Sequence, residues 1–473
     1  MIRSTLSTPR TTFRGQRPFL TTILLPSAIA LSGCATPATT PKPKTAAQAD
    51  SQSPSAPDQV NGWQSSHGRP ESEAITAEFV AAPASSTPIV LGYFTNWAHY
   101  RPAPCDFQTS DVPVNLLTHI NYSFALVGVR DSSGKAIQSK EELAKSPDAA
   151  FELIPSDPND EDRLYSEVIG LKKTKPNLDV MLSVGGWAFN DEPTAWVFSA
   201  LAESPERRGH FIRQSIKYLR KYGFDGLDLD WEFPGVSERG GREVDSENFT
   251  ALLRELRAAF AQEAKDSGQT ELLLTIAAPA GHYYAQHQQL GKIHEALNWI
   301  NVMTYDYHGN WDKKTGANAP LGGGEPDIPS TIAMYKAAGV PADKIVLGFA
   351  TYARGWGGVE EAKPGADGPE PGPSGACGKD SLKASEVEDW VNKGVYTSSW
   401  DEGSQTPFAY DAEKKFYVSY ENQRSVDAKL DYLEAEGLRG GMFWAIDLDD
   451  TKKGYPLIRQ VSERVLAKED LSK

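Results

Sequence analysis

The stretch Phe224-Asp225-Gly226-Leu227-Asp228-Leu229-Asp230-Trp231-Glu232-Phe233-Pro234 carries four carboxylates within eight residues and is otherwise apolar, like a short strand. Side chains alternate between the two faces of a strand, so Asp228, Asp230 and Glu232 are predicted to share one face. Burying several carboxylates without cations costs roughly several kcal/mol per ion. The stretch therefore indicates a site where chemistry requires the carboxylates.

The crowding of these carboxylates has a chemical consequence. Neighbouring like charges raise the pKa of one member, so the cluster is expected to hold a shared proton near neutral pH. A carboxyl group that keeps its proton can donate it to a leaving oxygen, as a general acid must. Two other interpretations stay open: a solvated acidic edge strand, and a Mg²⁺ or Ca²⁺ site, because oxygen ligands suit those ions.

Composition limits the classes of partner. The chain has 473 residues, a formal net charge of -15, 40% apolar residues and 10% aromatic residues. This length suits one large domain or two to three small ones. The acidic balance disfavours a nucleic-acid partner, because binding phosphates relies on Lys and Arg, and it disfavours an anionic polysaccharide. A neutral substrate is the simplest fit.

The beginning of the chain is predicted to lie outside the fold. Residues 1–33 combine a positively charged start with an apolar run that is too short to span a membrane comfortably. The run ends in Leu31-Ser32-Gly33-Cys34, which is similar to a bacterial lipobox and predicts a lipid on Cys34; an ordinary secretory signal is the alternative. Residues 34–87, rich in Ala, Pro, Ser and Thr, are predicted to be a flexible tether. The predicted location is the bacterial cell envelope, with the lipid as the membrane contact, or the exterior after secretion.

The chain has three cysteines: Cys34, Cys105 and Cys377. If Cys34 carries a lipid, two thiols are left, and an oxidising compartment would permit a bond between them. Nothing in the sequence places Cys105 near Cys377, so the pairing stays open.

From residue 88 onward, short apolar runs alternate with amphipathic helical stretches. Strands that alternate with helices favour parallel pairing, and eight of them predict a (β/α)8 TIM barrel built from residues 88–354 and 421–473. The predicted strands are residues 89–94, 117–124, 178–184, 224–234, 272–277, 299–304, 345–349 and 441–445.

Three motifs resemble those of a known family. Asp225-Gly226-Leu227-Asp228-Leu229-Asp230-Trp231-Glu232 is similar to the DGxDxDWE signature of the family 18 glycoside hydrolases, which include chitinases. Ser183-Val184-Gly185-Gly186 resembles the family's SxGG motif, and Met303-Thr304-Tyr305-Asp306 resembles its MTYD motif. The resemblance implies the same (β/α)8 barrel.

Between the seventh and eighth predicted strands lies an insertion at residues 355–420. A loop of that length needs structure of its own. A helix is predicted at residues 383–392 and a hairpin from residues 407–410 and 415–420. The insertion resembles the small α+β domain that forms one wall of the cleft in the chitinase subgroup of the family.

Active sites of such barrels lie at the carboxyl ends of the strands, and aromatic and polar residues follow the predicted strands here. Aromatic faces stack on the apolar faces of sugar rings, although any single aromatic residue could equally belong to the core. With the resemblance, the candidate substrate-binding residues are Tyr93, Phe124, Trp187, Met303, Asp306, Trp311, Arg354 and Trp444.

The resemblance implies a substrate-assisted, retaining hydrolysis of β-1,4-linked N-acetylglucosamine in chitin or chito-oligosaccharides. Glu232 is the expected general acid, and Asp230 is expected to orient the acetamido group of the sugar. Asp228 would share a proton with Asp230, and Tyr305 would donate to the acetamido oxygen. No cofactor and no metal is implied, and a monomer is expected. The alternatives are an endo-β-N-acetylglucosaminidase acting on N-glycans and a non-catalytic chitin-binding lectin.

Overall fold

A computed structural model describes residues 80–83, 85, 87–378 and 382–470, with the backbone alone at residues 468–470. The predicted signal at residues 1–33, the predicted lipid site Cys34 and nearly all of the predicted tether lie outside these residues. Within the described ranges, no helix has the length and apolar character needed to cross a membrane.

The strands of the described residues belong to two sheets. In chain order they are β1 (Ile89–Thr95), β2 (His119–Arg130), β3 (Ala150–Pro155), β4 (Asp179–Gly185), β5 (Gly226–Asp230), β6 (Leu273–Pro279), β7 (Trp299–Met303), β8 (Ile345–Ala350), β9 (Arg354–Gly357), β10 (Glu370–Pro371), β11 (Thr397–Asp401), β12 (Thr406–Asp411), β13 (Phe416–Ser419) and β14 (Gly440–Trp444).

The first sheet is a closed parallel barrel, which confirms the predicted fold. Its strands follow the order β1-β14-β8-β7-β6-β5-β4-β2, and β2 pairs with β1 to close the ring. The first and last strands meet in register, with Ile89 opposite Gly440. The sequence prediction did not include β3, which pairs antiparallel with the second half of β2 outside the ring.

Helices follow most of the barrel strands. In chain order the α-helices of the described residues are α1 (Lys140–Leu143), α2 (Tyr165–Gly170), α3 (Val197–Glu203), α4 (Pro205–Tyr222), α5 (Asp245–Ser267), α6 (His282–Ala285), α7 (Leu290–Ala296), α8 (Ile328–Ala337), α9 (Ala384–Asn392), α10 (Gln423–Glu436) and α11 (Pro456–Asp470).

Helix α4, which leads into the acidic strand, shows how local sequence defines these elements. The side chain of Ser204 accepts a hydrogen bond from the backbone N–H of Arg207, and proline occupies the first helical turn. Gly223 ends the helix in the left-handed conformation, with φ of 84°. The helix buries Phe211 and Leu219, so β5 starts from a defined position.

The acidic strand β5 lies between β4 and β6 in the barrel, and all its residues are buried. The alternative of a solvated edge strand is therefore wrong. The strand is shorter than predicted and ends at Asp230, where β4 also ends with Gly185 as its partner. Trp231 follows outside the ladder and stacks on Phe198, with the two ring centroids 5.5 Å apart. Glu232 consequently lies beyond the end of the strand.

The second sheet belongs to the predicted insertion between the seventh and eighth barrel strands. It is antiparallel, in the order β10-β9-β13-β12-β11, and is accompanied by α9. The hairpin of β12 and β13 was expected, whereas β9 and β11 were not. Strand β9 starts four residues after β8 ends, and β13 pairs with it through Ser419 opposite Arg354. The insertion therefore has an α+β structure and begins directly at the mouth of the barrel.

A disulfide joins Cys105 to Cys377, with their Cα atoms 5.3 Å apart. Cys105 lies in the segment between β1 and β2, and Cys377 lies in the insertion. The pairing that the sequence left open is thus present in the structure, and it connects the barrel covalently to the insertion.

Candidate active site

Asp228 lies in the barrel interior and is surrounded by donors. It is fully buried. One carboxylate oxygen accepts from the Tyr93 hydroxyl at 2.9 Å and from Ser183 Oγ at 2.8 Å. The other accepts from Thr275 Oγ1 at 2.6 Å and from Asn301 Nδ2 at 3.1 Å. Burial raises the pKa of Asp228, but these four hydrogen bonds oppose the shift because they favour the ionised form.

Asp230, two residues further along β5, has a contrasting environment. Among the described residues, nothing donates a hydrogen bond to its buried Oδ1 atom. Burial raises the pKa of Asp230 well above its usual value, and the neighbouring charges of Glu232 and Asp228 raise it further. Of the two carboxyl groups, Asp230 therefore keeps its proton more readily, because the hydrogen bonds that favour the ionised form are made to Asp228.

Glu232 is the third carboxylate, and 8% of its surface is exposed. Burial raises its pKa to about 8, while the charge of Arg239 lowers the pKa and those of Asp306 and Asp191 raise it. A carboxyl group with this pKa keeps its proton at neutral pH. Glu232 can therefore serve as a proton donor.

The alternative of a Mg²⁺ or Ca²⁺ site finds no geometric support near Asp228, because its oxygens already accept hydrogen bonds from hydroxyl and amide donors. Over the described ranges, no three His, Cys, Asp or Glu side chains are arranged to hold a metal ion.

Tyr305 follows β7, which is two strands away from β5 in the barrel. It is 8% exposed, and its hydroxyl lies 3.7 Å from the Met442 sulfur. Burial raises the pKa of Tyr305 well above the ordinary value, as do the charges of Tyr352, Asp230 and Asp306. The hydroxyl therefore stays protonated and can donate a hydrogen bond. Met303, at the end of β7, is partly buried and packs against the inner barrel cluster that contains Tyr305.

Asp306 and Arg354 form a two-point ion pair between the barrel and the insertion. Arg354 Nε donates to one carboxylate oxygen at 2.7 Å, and Nη2 donates to the other at 2.8 Å. Asp306 has a positive φ of 58°. Its backbone N–H donates to Asn318 Oδ1 at 3.0 Å, and the backbone N–H of Asn318 donates to Ser419 Oγ of β13 at 2.9 Å. The insertion therefore helps to fix the position of Asp306.

Three aromatic side chains form a surface that we call the aromatic floor: Trp97, Phe124 and Trp444. Phe124 stacks on Trp444 at a centroid distance of 5.7 Å and on Trp97 at 6.1 Å. Tyr93 packs at an angle beside Trp444, at 5.4 Å, but is only 1% exposed. Two of the candidate binding residues, Phe124 and Trp444, thus lie together, whereas Tyr93 lies deeper and directs its hydroxyl at Asp228.

The SxGG motif has a steric reason. Gly186 has a φ of 85°, and a Cβ atom there would lie 2.5 Å from the ring of Phe124. Gly185 has a φ of 115°, and its Cβ atom would lie 2.3 Å from the backbone oxygen of Asp230. The two glycines thus allow β4 to approach both the aromatic floor and the acidic strand.

The two remaining candidate aromatics, Trp187 and Trp311, are 54% and 55% exposed. Each lies against an arginine: the Arg239 guanidinium is 3.7 Å from the centroid of the Trp187 ring, and that of Arg354 is 5.3 Å from the Trp311 ring. Both contacts are cation–π interactions.

Sequence reasoning did not select Arg239, Asn318 or Trp97 as site residues. Trp97 could have been included, because it follows the first predicted strand and is aromatic. No motif in the sequence marks Arg239 or Asn318. Their partners come from different segments of the chain, and the loops that hold them decide where their side chains point.

Comparison with known proteins agrees with this geometry. Residues 89–449 match the family described as glycosyl hydrolases family 18. The chain belongs to glycoside hydrolase family 18. It is 34% identical over 393 residues to chitotriosidase-1 of Mus musculus, which covers 79% of this chain and 77% of the relative.

Other family 18 members are similar over the same part of the chain. Chitinase A1 of Niallia circulans is 32% identical over 426 residues, which covers 80% of this chain but only 59% of that relative. The structure of human YKL-39, described as a pseudo-chitinase with retained chitooligosaccharide binding properties, aligns with a TM-score of 0.68 at 27% identity, over 80% of this chain and 100% of that one. The chain is thus a chitinase-like family 18 protein, in a family that contains both enzymes and inactive binding proteins.

Proposed function

We propose that this protein is a retaining chitinase that hydrolyses β-1,4 linkages between N-acetylglucosamine units by substrate-assisted catalysis. The observation that supports this most directly is the environment of Glu232. Burial raises the pKa of this carboxyl group to about 8, and Asp228 and Asp230 lie in the same stretch of chain. A protein that only binds chitin has no need of a buried proton donor beside two further carboxylates.

In the proposed first step, Glu232 donates its proton to the glycosidic oxygen as the bond from that oxygen to the anomeric carbon breaks. The carbonyl oxygen of the sugar's own 2-acetamido group attacks the anomeric carbon and forms an oxazolinium ion. In the second step, the ionised Glu232 takes a proton from a water molecule, whose oxygen attacks the anomeric carbon from the face that the leaving group vacated. The bond from that carbon to the acetamido oxygen breaks in this step, which regenerates the 2-acetamido group. Family 18 is one of the known exceptions to the scheme of two enzyme carboxylates.

Asp230 is the proposed partner of the acetamido N–H. Its free Oδ1 atom leaves one oxygen available to accept that hydrogen bond. Transfer of the Asp230 proton to the carboxylate of Asp228 would give Asp230 the negative charge that stabilises the oxazolinium ion. The Tyr305 hydroxyl is the proposed donor to the acetamido oxygen, which fixes the direction of its attack.

The aromatic floor is the proposed binding surface for the sugar that is cleaved, with Trp444 under its ring. Asp306 and Arg354 are proposed to contact sugar hydroxyl groups, and the exposed Trp187 and Trp311 are proposed to stack on neighbouring sugars. All these groups are uncharged rings or a neutralised ion pair, which suits a neutral polysaccharide.

Analysis of the products from chitin oligosaccharides, with an N-glycoprotein tested in parallel, would decide the function. The expected result is release of short N-acetylglucosamine oligomers, initially as the β-anomer, with no cleavage of a pure glucose polymer such as cellulose. Release of intact glycans alone would favour an endo-β-N-acetylglucosaminidase. Binding of chitin without any product would favour a lectin and overturn the proposal.

We also propose that the protein acts outside the cytoplasm, attached by a lipid at Cys34 or secreted. The disulfide between Cys105 and Cys377 supports an oxidising compartment. The test is cell fractionation of the full chain and of a Cys34→Ala variant in a bacterial host. Membrane association that the variant loses is the expected result, and equal soluble export of both proteins would contradict the lipid anchor.

A further inference from the structure

One arginine outside the expected catalytic motifs touches both the acid and an exposed aromatic residue. Arg239 is 7% exposed, and its guanidinium donates in three directions. Nε donates to the backbone oxygen of Glu232 at 3.0 Å, Nη2 donates to the backbone oxygen of Trp187 at 2.6 Å, and Nη1 pairs with the carboxylate of Asp191. The same guanidinium lies 3.7 Å from the centroid of the Trp187 ring.

We propose that Arg239 is a positioning residue that fixes the Glu232 backbone and the Trp187 indole relative to each other, so that a sugar stacked on Trp187 presents its glycosidic oxygen to the acid. The proposal deepens the function proposed above and rests on it for the identity of the sugar. Arg239 itself acts through Glu232 and Trp187 and touches no reacting atom.

The loop that carries Arg239 is well suited to this task. Arg239 ends a short 3-10 turn, Ser237–Arg239, whose closing residue Gly240 has a φ of 72°. A Cβ atom on Gly240 would lie 2.6 Å from the backbone oxygen of Ala195, so the loop packs directly against the segment that contains Asp191. The loop therefore holds the guanidinium at a defined position.

The chemistry requires arginine. The guanidinium is planar, carries its donors in a rigid fork and stacks on aromatic faces, whereas lysine offers a single ammonium group on a flexible stem. The three acceptors lie on two segments, the Glu232 oxygen after β5 and the Trp187 oxygen and Asp191 carboxylate in the loop after β4, and a lysine ammonium group lacks the rigid fork that meets them together. Lysine at this position would keep the charge and lose the geometry, which allows the two contributions to be separated.

Arg239 also contributes to the electrostatics of the acid. Its positive charge lowers the pKa of Glu232 against the larger effect of burial. Removal of that charge should raise the pKa of Glu232 and shift the alkaline limb of the pH profile of kcat/KM to higher pH. Other titratable groups also face Glu232: Asp191, Asp230, Asp306, Tyr284 and Tyr305. Arg354 is a further charged group in this region, because it pairs with Asp306.

The experiment compares Arg239→Gln and Arg239→Lys with wild type on chito-oligosaccharides. Both variants should lose about a hundredfold in kcat/KM, because a displacement of the acid or the sugar by about 1 Å has an effect of that size. Only Arg239→Gln should shift the alkaline limb upward, since Arg239→Lys keeps the charge. Arg242→Gln is the matched control: Arg242 makes as many hydrogen bonds nearby, to Ser199 and Glu203, and should leave the profile unchanged.

A second readout does not depend on activity. Acrylamide quenching of tryptophan fluorescence is measured for each protein and for its Trp187→Phe counterpart. The difference between the two reports how accessible the Trp187 ring is to the quencher, and therefore how firmly the ring is held. Quenching should increase in both Arg239 variants and stay at the wild-type level in Arg242→Gln. If wild type cleaves no chito-oligosaccharide, the proposed function fails, and the quenching still decides the role of Arg239. Wild-type quenching in both Arg239 variants, at an unchanged melting temperature, would overturn the proposal.

Discussion

The hydroxyl of Tyr93 donates a 2.9 Å hydrogen bond to Oδ2 of Asp228, across 135 residues of sequence. Tyr93→Phe removes one of the four donors that favour the ionised form of Asp228. A hydrogen bond to a charged group contributes about 1.5–3 kcal/mol, so we expect kcat on chito-oligosaccharides to fall about tenfold to a hundredfold. Tyr218→Phe is the control: it removes a hydroxyl outside the site that donates to the Tyr165 hydroxyl at 3.3 Å, and it should leave kcat unchanged. Equal rates for wild type and Tyr93→Phe would contradict the role given to Tyr93.

Glu232→Gln removes the proposed proton donor and keeps the size of the side chain. We expect kcat to fall by about two to four orders of magnitude, the usual contribution of a general acid. The affinity for chito-oligosaccharides, measured by calorimetry, should change little because the aromatic floor is intact. Retained turnover would show that another group supplies the proton.

The pKa of about 8 at Glu232 predicts how activity depends on pH. The acid must be protonated to act, so kcat/KM should decline as the pH rises through about 8. The measurement is the pH profile of kcat/KM for an oligosaccharide whose own groups do not titrate in this range. A decline centred near pH 5 would mean that Glu232 is ionised at neutral pH and cannot be the acid as described.

Stability should depend on the same group. The ordinary pKa of this carboxyl group is 4.5, and in the folded protein it is about 8. Between these two pH values the folded protein binds a proton at Glu232 and the unfolded chain does not. The free energy of unfolding therefore falls as the pH rises through this window. Glu232→Gln has no such dependence, so its melting temperature relative to wild type should rise from pH 5 to pH 8. A constant difference across that range would contradict the raised pKa.

Gly186→Ala tests the steric reason for the SxGG motif. The substitution adds a Cβ atom 2.5 Å from the Phe124 ring at a φ of 85°. Gly134→Ala is a matched control, because its φ is 84° and nothing lies within 4 Å of the added atom. The strain of the left-handed conformation costs roughly 1–3 kcal/mol in both variants. Only Gly186→Ala should lower the free energy of unfolding by more than that, as measured by chemical denaturation. Only this variant should also weaken oligosaccharide binding, as measured by calorimetry. Equal losses in both variants would refute the close packing on Phe124.

Much of the barrel could be predicted because each parallel strand is buried on both faces and reads as an apolar run. The exception is β3 (Ala150–Pro155), in which Phe151 and Leu153 alone are buried and which pairs with the outer half of β2. The insertion strands β9 and β11 also escaped prediction, because Arg354–Gly357 contains two glycines and Thr397–Asp401 is largely exposed.

The candidate site was predictable where a motif lies within one strand and its loop. Asp228, Asp230 and Glu232 are local to one stretch, and the composition of that stretch indicates their chemistry. The environment that gives them different properties is not local. The donors to Asp228 come from four other barrel strands, and the arginine next to Glu232 has partners in the loop after β4. The sequence therefore indicated the acids but could not indicate which of them is ionised.

The pairing of the first barrel strand with the last one affects how the protein is made. Ile89 lies opposite Gly440, which follows it by 351 residues, so the ring cannot close until Gly440 has been synthesised. At typical elongation rates that interval lasts roughly 20–70 s. During this time β1 can pair with β2 on one side, while its other edge presents unpaired backbone groups to any neighbouring strand. Nascent chains should therefore depend most on chaperones at this edge.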